Sequence, residues 1–249
     1  MILTRSDGSS TAYCQESGRN PPGVVFLPGF RSDMNGIKAT ALAGHCRTRD
    51  HPFLRFDYFG HGASSGDFRA GTIGRWLEDA LAVIDRRTEG PLLLVGSSMG
   101  GWIALLAALA RPGRVKALIG IAPAPDFTED LIWDQLGEAR RGELLDRGEL
   151  AAPSAYEADY IPITLGLVEE GRRHLLLRGP IRLSCPVRLL HGMEDPDVPY
   201  QTSLRLMEML TGTEAVVELI EDGDHRLSRP QDLTRLFAAV DAMAARFRS

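Results

Sequence analysis

The chain has 249 residues, 44% of them hydrophobic, and a formal net charge of -5 with an isoelectric point near 5.7. That is enough apolar material for one full core, and no basic stripe interleaved with aromatics points to nucleic acid as a partner. Cys14, Cys46 and Cys185 are odd in number and widely spaced, which speaks against a disulfide framework or a zinc ribbon, and no run of about 18 apolar residues could span a membrane.

Residues 1–5 pass straight into polar sequence without the apolar core of a signal peptide, so the expectation is a soluble, unprocessed, cytoplasmic protein. Two short strands, at 2–5 and 12–15, flank the turn cluster Ser6-Asp7-Gly8-Ser9-Ser10 and read as an opening hairpin. The run Val24-Val25-Phe26-Leu27 stops at Pro28-Gly29, as a buried strand would, and residues 35–48 read as a helix. A strand at 53–57 then meets the glycine-rich loop 58–66. Within 72–87, Ile73, Trp76, Leu77, Ala80, Leu81 and Ile84 recur at three- and four-residue steps, one face of a helix.

Next, Leu92-Leu93-Leu94-Val95 breaks into Gly96-Ser97-Ser98-Met99-Gly100 and becomes Ala/Leu-rich: strand, tight turn, helix. The helix ends at Arg111-Pro112-Gly113, and 115–122 is a further strand. From 123 to 184 the rhythm breaks into charge, scattered Pro and Gly, and short amphipathic pieces such as 131–136. It resumes with a strand at 187–191, a helix near 203–210, a strand at 216–220 and a closing helix at 233–247. Such alternation predicts an α/β fold in one domain spanning 1–249, with a mostly parallel eight-stranded sheet covered on both faces and a helical lid inserted at 125–180.

The Gly-x-Ser-x-Gly turn makes Ser98 the candidate nucleophile, because the flanking glycines let backbones cross while the hydroxyl projects from a strained corner. A serine hydroxyl needs a base, and the base needs an orienting acid; in this architecture the chain order is Ser, acid, His. Of six histidines only His225 follows the late strands, in Glu221-Asp222-Gly223-Asp224-His225. The acid is expected past the strand ending at Leu190, where Asp195 is preferred over Glu194 and Asp197, with Asp126 a substitute. Met99 at the helix start and Phe30 in the loop after the first buried strand are the expected amide donors to an oxyanion.

Trp102, Trp133, Tyr156 and Ile161, with Leu131, Ile163 and Leu165, are candidates for an acyl pocket; packing of the lid onto the body explains the lid residues among them equally well. His61 and His191 read as a turn residue and a strand-end packing residue. Arg140-Arg141 and Arg172-Arg173 read as solvated lid faces or, alternatively, as groups meeting an acidic substrate. No phosphate loop, H-E-x-x-H, EF-hand or dinucleotide glycine pattern occurs, so no cofactor or metal is expected.

The whole chain resembles the α/β-hydrolase superfamily. The stretches Pro28-Gly29-Phe30-Arg31-Ser32-Asp33-Met34-Asn35-Gly36-Ile37-Lys38-Ala39, Arg55-Phe56-Asp57-Tyr58, Val95-Gly96-Ser97-Ser98-Met99-Gly100-Gly101-Trp102 and Arg188-Leu189-Leu190-His191-Gly192-Met193 are similar, more narrowly, to its mitochondrial palmitoyl-protein thioesterases. The resemblance implies hydrolysis of S-palmitoyl cysteine thioesters and acyl glucuronide esters by Ser98, Asp195 and His225. The expected partners are acyl thioester or ester substrates, S-acylated proteins among them. A broad carboxylesterase, a carbon–carbon bond hydrolase and a non-catalytic acyl-binding module are the competing readings.

Overall fold

The computed structural model describes residues 1–152 and 160–247. Eight strands form the central sheet: β1 (Ile2–Thr4), β2 (Ser10–Glu16), β3 (Gly23–Leu27), β4 (Phe53–Phe56), β5 (Leu92–Ser97), β6 (Val115–Ile121), β7 (Val187–Gly192) and β8 (Ala215–Ile220), in the order β1-β2-β4-β3-β5-β6-β7-β8. Only β2 runs antiparallel to its neighbours β1 and β4; every later pairing is parallel. Parallel strands need crossovers, and the helices α1 (Ile37–Thr48), α2 (Ile73–Arg87), α3 (Met99–Ala110) and α6 (Gln201–Met209) provide most of them, while these and the closing α7 (Pro230–Ala244) cover the sheet.

The two faces bury separate cores. One joins Leu27, Leu94 and Leu189 to Trp76, Ile84, Trp102, Ile103 and Leu206 of α2, α3 and α6. The other joins Val24, Phe26, Val95 and Ile119 to Leu42 of α1 and Leu236 and Val240 of α7. Helix α2 shows how sequence sets this packing. Thr72 accepts the Arg75 amide at 3.2 Å and caps the first turn, and Ile73, Trp76, Ala80, Val83 and Ile84 then fall on one buried stripe. Trp76 is fully buried, so Trp76→Ala removes a side chain worth about 3–5 kcal/mol. The last helix starts three residues earlier than its apolar pattern suggests: Pro230 takes the first position, where its missing N–H costs nothing, and Asp232 accepts the Arg229 amide at 3.0 Å.

Register decides where the site falls. Leu27 pairs with Gly96, Ser97 with Ile121, Leu190 with Ile121, and Gly192 with Ile220. The loops after β3, β5, β6, β7 and β8 therefore leave one edge of the sheet side by side, the carboxyl ends where ligands of open α/β sheets bind.

Between β6 and β7 the chain builds more than helix. After a π-turn at Thr128–Ile132 come α4 (Glu138–Arg147), an antiparallel strand pair Glu149–Ala152 and Ile161–Thr164, and α5 (Leu165–Gly171). Leu144, Leu150, Ile163 and Val168 form a small core of their own there. The alternation of Ile161 and Ile163 carried a strand signal that the surrounding charge masked. No helix among the described residues is long and apolar enough to cross a membrane, and Cys14, Cys46 and Cys185 are free thiols.

Candidate active site

Strand β5 delivers Ser98 on a turn that only small neighbours allow. A Cβ on Gly96 would lie 2.2 Å from the Gly100 oxygen, and one on Gly100 would lie 2.1 Å from the Leu27 oxygen, so neither position admits a side chain. Ser98 itself sits at φ +54°, ψ −121°, outside the ordinary regions for an L-residue, at a cost of order 1–3 kcal/mol. Its backbone is locked: the Ser98 amide donates to Ile121 O at 2.9 Å, and its carbonyl accepts from Gly101 and Ala124 at 2.8 and 3.1 Å. The consequence is a fixed, partly exposed hydroxyl above the sheet edge.

His225 comes from the loop after β8. Its Nε2 lies 3.1 Å from Ser98 Oγ and its Nδ1 2.7 Å from Asp195 Oδ2. A carboxylate only accepts, so Nδ1 carries the proton and Nε2 is left to accept from the serine hydroxyl. Asp195 is the acid brought to His225. Glu194 is exposed and its amide is tied to Gly223 O, while the buried Asp126 faces away, accepting the Leu176 and Leu177 amides at 2.7 and 2.8 Å.

The Asp195 carboxyl is itself built in. Oδ1 accepts the amides of Asp197 and Val198, both at 2.8 Å, closing an Asx turn that points Oδ2 at the histidine. Burial opposes ionisation, but hydrogen bonds from His191 and His225, the His225 charge and the Val198 amide together hold the Asp195 carboxyl well below the usual carboxylate range. His191, read from sequence as a packing residue, does more. Fully buried, it takes the Ser203 hydroxyl at Nδ1 (2.7 Å) and points Nε2 at Val198 O (2.9 Å) and Asp195 Oδ2 (3.3 Å), bracing the acid loop.

Phe30 and Met99 line the same cleft as Ser98, and neither amide donates to any group among the described residues. Met99 opens α3, where unpaired N–H groups and the helix dipole favour negative charge. Gly29 brings the Phe30 loop against Ser98: a Cβ there would sit 3.3 Å from Ser97 O and Ser98 Cβ. Lys38 of α1 also reaches the cleft and donates to Arg226 O beside the histidine; burial pushes its ammonium down to about 8.

The cleft has a volume of about 460 Å³, within the usual range for small-molecule sites, and its apolar wall is Phe30, Phe127, Leu131, Ile132, Ile161 and Ile163. Of the expected acyl-pocket residues, Leu131, Ile161 and Ile163 line it and Leu165 does not. Trp102 does not: it is fully buried, donates Nε1 to His174 O at 3.1 Å and packs edge-on behind Phe127. Nor does Trp133, whose ring lies under the guanidinium groups of Arg141 and Arg172 at 5.2 and 4.7 Å within the small core of the insertion. Tyr156 lies outside the described residues. Arg140, Arg141 and Arg172 are engaged locally, with Ala151 O, Trp133 O and the Glu129 carboxylate. Phe127 escaped the sequence reading, although its place just past the carboxyl end of β6 was a usable signal.

Among the described residues, one group has ligand chemistry for a metal: Asp195, Asp197 and His225, whose donor atoms lie within 4.8 Å of one another. Two of the three are already bonded to each other.

A sheet in this order, with a serine on the turn after β5, defines the fold class, and the comparisons agree. The alpha/beta hydrolase family matches residues 24–236, and the chain belongs to it. It is a hydrolase. It is 42% identical over 241 residues to the mouse mitochondrial palmitoyl-protein thioesterase ABHD10, covering 96% of this chain and 80% of that protein, and 40% identical to the human one, covering 78% of it. Among solved structures, a candidate hydrolase of Agrobacterium vitis superposes with a TM-score of 0.93 at 45% identity, covering 98% of this chain and 96% of that one. Mouse ABHD10 gives 0.92 at 41% identity, covering 99% and 98%.

Proposed function

We propose that the protein cleaves long-chain acyl thioesters and esters, S-palmitoyl cysteine foremost and acyl glucuronides and simple carboxylesters besides, through an acyl-enzyme on Ser98. The observation that carries this reading is the unbroken relay Ser98–His225–Asp195, whose serine and histidine line a cleft with one apolar wall. The relatedness to palmitoyl-protein thioesterases supports the choice of acyl group.

In this reading His225 Nε2 takes the Ser98 proton as Oγ attacks the acyl carbonyl carbon, and the Phe30 and Met99 amides stabilise the oxyanion. Asp195 keeps the His225 ring in the tautomer that can accept and steadies the imidazolium formed. Collapse expels the thiol or alcohol, which takes the proton from His225. Water then enters, gives a proton to Nε2, attacks the acyl carbonyl and releases the carboxylic acid, returning the proton to Ser98. Residues 125–180 act as the lid that selects the acyl chain, with Phe127, Leu131, Ile132, Ile161 and Ile163 against it.

The test is a chain-length series of nitrophenyl esters run beside the matching acyl thioesters. Rates that rise with chain length and favour thioesters are expected; flat rates with a preference for short oxygen esters would sink the depalmitoylase reading in favour of a broad carboxylesterase.

A further inference from the structure

His61 stands outside the relay, on the glycine-rich loop after β4, and its ring is nearly completely buried among Tyr58, Phe68 and Trp76, with centroids at 5.8, 5.1 and 5.3 Å. Its two nitrogens have distinct partners. Nδ1 lies 3.1 Å from Phe59 O, a carbonyl that also accepts the Trp76 indole N–H at 3.0 Å. A carbonyl cannot donate, so Nδ1 holds the proton and Nε2 presents a lone pair. That lone pair accepts the Arg31 amide at 3.2 Å.

Arg31 is the residue after Phe30, and it sits in the left-handed region at φ +57°, a conformation that a side-chain-bearing residue holds only when its surroundings enforce it. The peptide between Phe30 and Arg31 is thus fixed at its Arg31 end by an imidazole. The Phe30 ring packs on Phe68 and Trp76 at 5.0 and 5.7 Å, the same rings that enclose His61. A second tie follows three residues on, where Met34 donates its amide to the buried Asp57. Burial, with the Arg31 charge adding to it and the Phe59 carbonyl opposing, pushes His61 down to about 4, so the acceptor stays neutral at physiological pH.

We infer that His61 is a positioning residue for the reaction: its Nε2 holds the Arg31 amide and thereby aims the Phe30 amide at the carbonyl oxygen as negative charge develops there. This rests on the reading of Ser98 as nucleophile and Phe30 as oxyanion donor. It predicts a defect in the transition state rather than in substrate binding.

Three variants test it with a short-chain nitrophenyl ester: His61→Leu, which removes both nitrogens; His61→Asn, whose shorter amide cannot reach Arg31; and His61→Gln, whose carbonyl oxygen can take the place of Nε2. The expected result is a fall in kcat of about 10- to 100-fold for His61→Leu and His61→Asn with KM within about threefold of wild type, less than the roughly 100- to 1,000-fold for removing an oxyanion-hole donor, because the Phe30 amide is misaimed rather than lost. Inhibition by a trifluoromethyl ketone, which forms an oxyanion on the enzyme, should weaken in parallel. His61→Gln should restore most of both.

Equal kcat in wild type and a folded His61→Asn or His61→Leu would overturn the inference. So would Gln and Asn variants that lose activity to the same extent with wild-type melting curves. Fluorophosphonate labelling of wild-type Ser98 separates the failures: a labelled serine with an indifferent His61 removes the positioning role alone, whereas an unlabelled serine removes the reading beneath it and the inference with it.

Discussion

The loops at the strand ends and the described part of the long connection over residues 123–186 are held by a different balance of forces. At the strand ends, backbone pairing and side-chain-to-backbone bonds fix each group: Ser98 by Ile121 and Ala124, Asp195 by the Asp197 and Val198 amides, Arg31 by His61. The connection has bonds of that kind too, Asp126 to the Leu176 and Leu177 amides, and a small core around Leu144 and Val168, but it adds ion pairs of partly exposed side chains, Arg172 to Glu129 and both Arg178 and Arg205 to Asp130. Backbone-fixed groups keep their geometry to the tolerance that bond-making chemistry needs, whereas exposed ion pairs contribute about 0–1 kcal/mol each and are screened by salt. Chemistry and acyl selection are therefore expected to respond separately to mutation.

The largest effect is expected at Ser98, the nucleophile proposed above. Ser98→Ala should lower turnover of any ester or thioester by about 10⁴-fold or more and abolish fluorophosphonate labelling, with the melting temperature little changed. Asp195→Asn comes next, at about 10⁴-fold in kcat, because an amide donating to Nδ1 forces the proton onto Nε2 and removes the acceptor for Ser98. Circular dichroism should show the fold intact.

Acid should weaken the body through His61. Its folded value near 4 lies below the unfolded 6.5, so the unfolded chain binds the extra proton between these limits and stability falls as pH drops through them. The contribution present above pH 6.5 is about 3 kcal/mol and is lost by about pH 4. Urea titrations of wild type against His61→Gln should show a smaller slope of stability with pH in the variant.

Acyl selection should move without the chemistry. Leu131→Trp narrows the cleft at a half-buried wall position, and kcat/KM for long acyl chains should fall about tenfold while acetyl esters keep their rate. Smallest of all, Glu129→Ala breaks the Arg172 pair and should cost less than about 1 kcal/mol by thermal melt, with the loss vanishing at high salt.

The same contrast explains what could be read from the residues alone. The meeting of Ser98, Asp195 and His225 was legible because each sits at a fixed place relative to a strand end, and strand ends announce themselves as apolar runs that break into turn-forming or charged residues. The placing of Phe30 and Met99 in the same cleft as Ser98 was legible for the same reason. Trp102 and Trp133 misled because large apolar side chains near a site serve its backing as often as its wall, and which they serve depends on contacts far off in sequence, such as Trp102 with His174 and Trp133 with Arg172. The bracing roles of His61 and His191 were hidden because a ring nitrogen's partner is settled by orientation, which spacing does not carry.

The central claim is covalent chemistry at one hydroxyl. Rapid quenching of the enzyme with excess palmitoyl thioester, followed by peptide mass mapping, reads it directly. The account predicts a palmitoyl adduct on the peptide bearing Ser98, absent in Ser98→Ala and decaying as free fatty acid appears. Turnover of the thioester with no acyl adduct at Ser98 at any quench time, or with undiminished rate in Ser98→Ala, would contradict it.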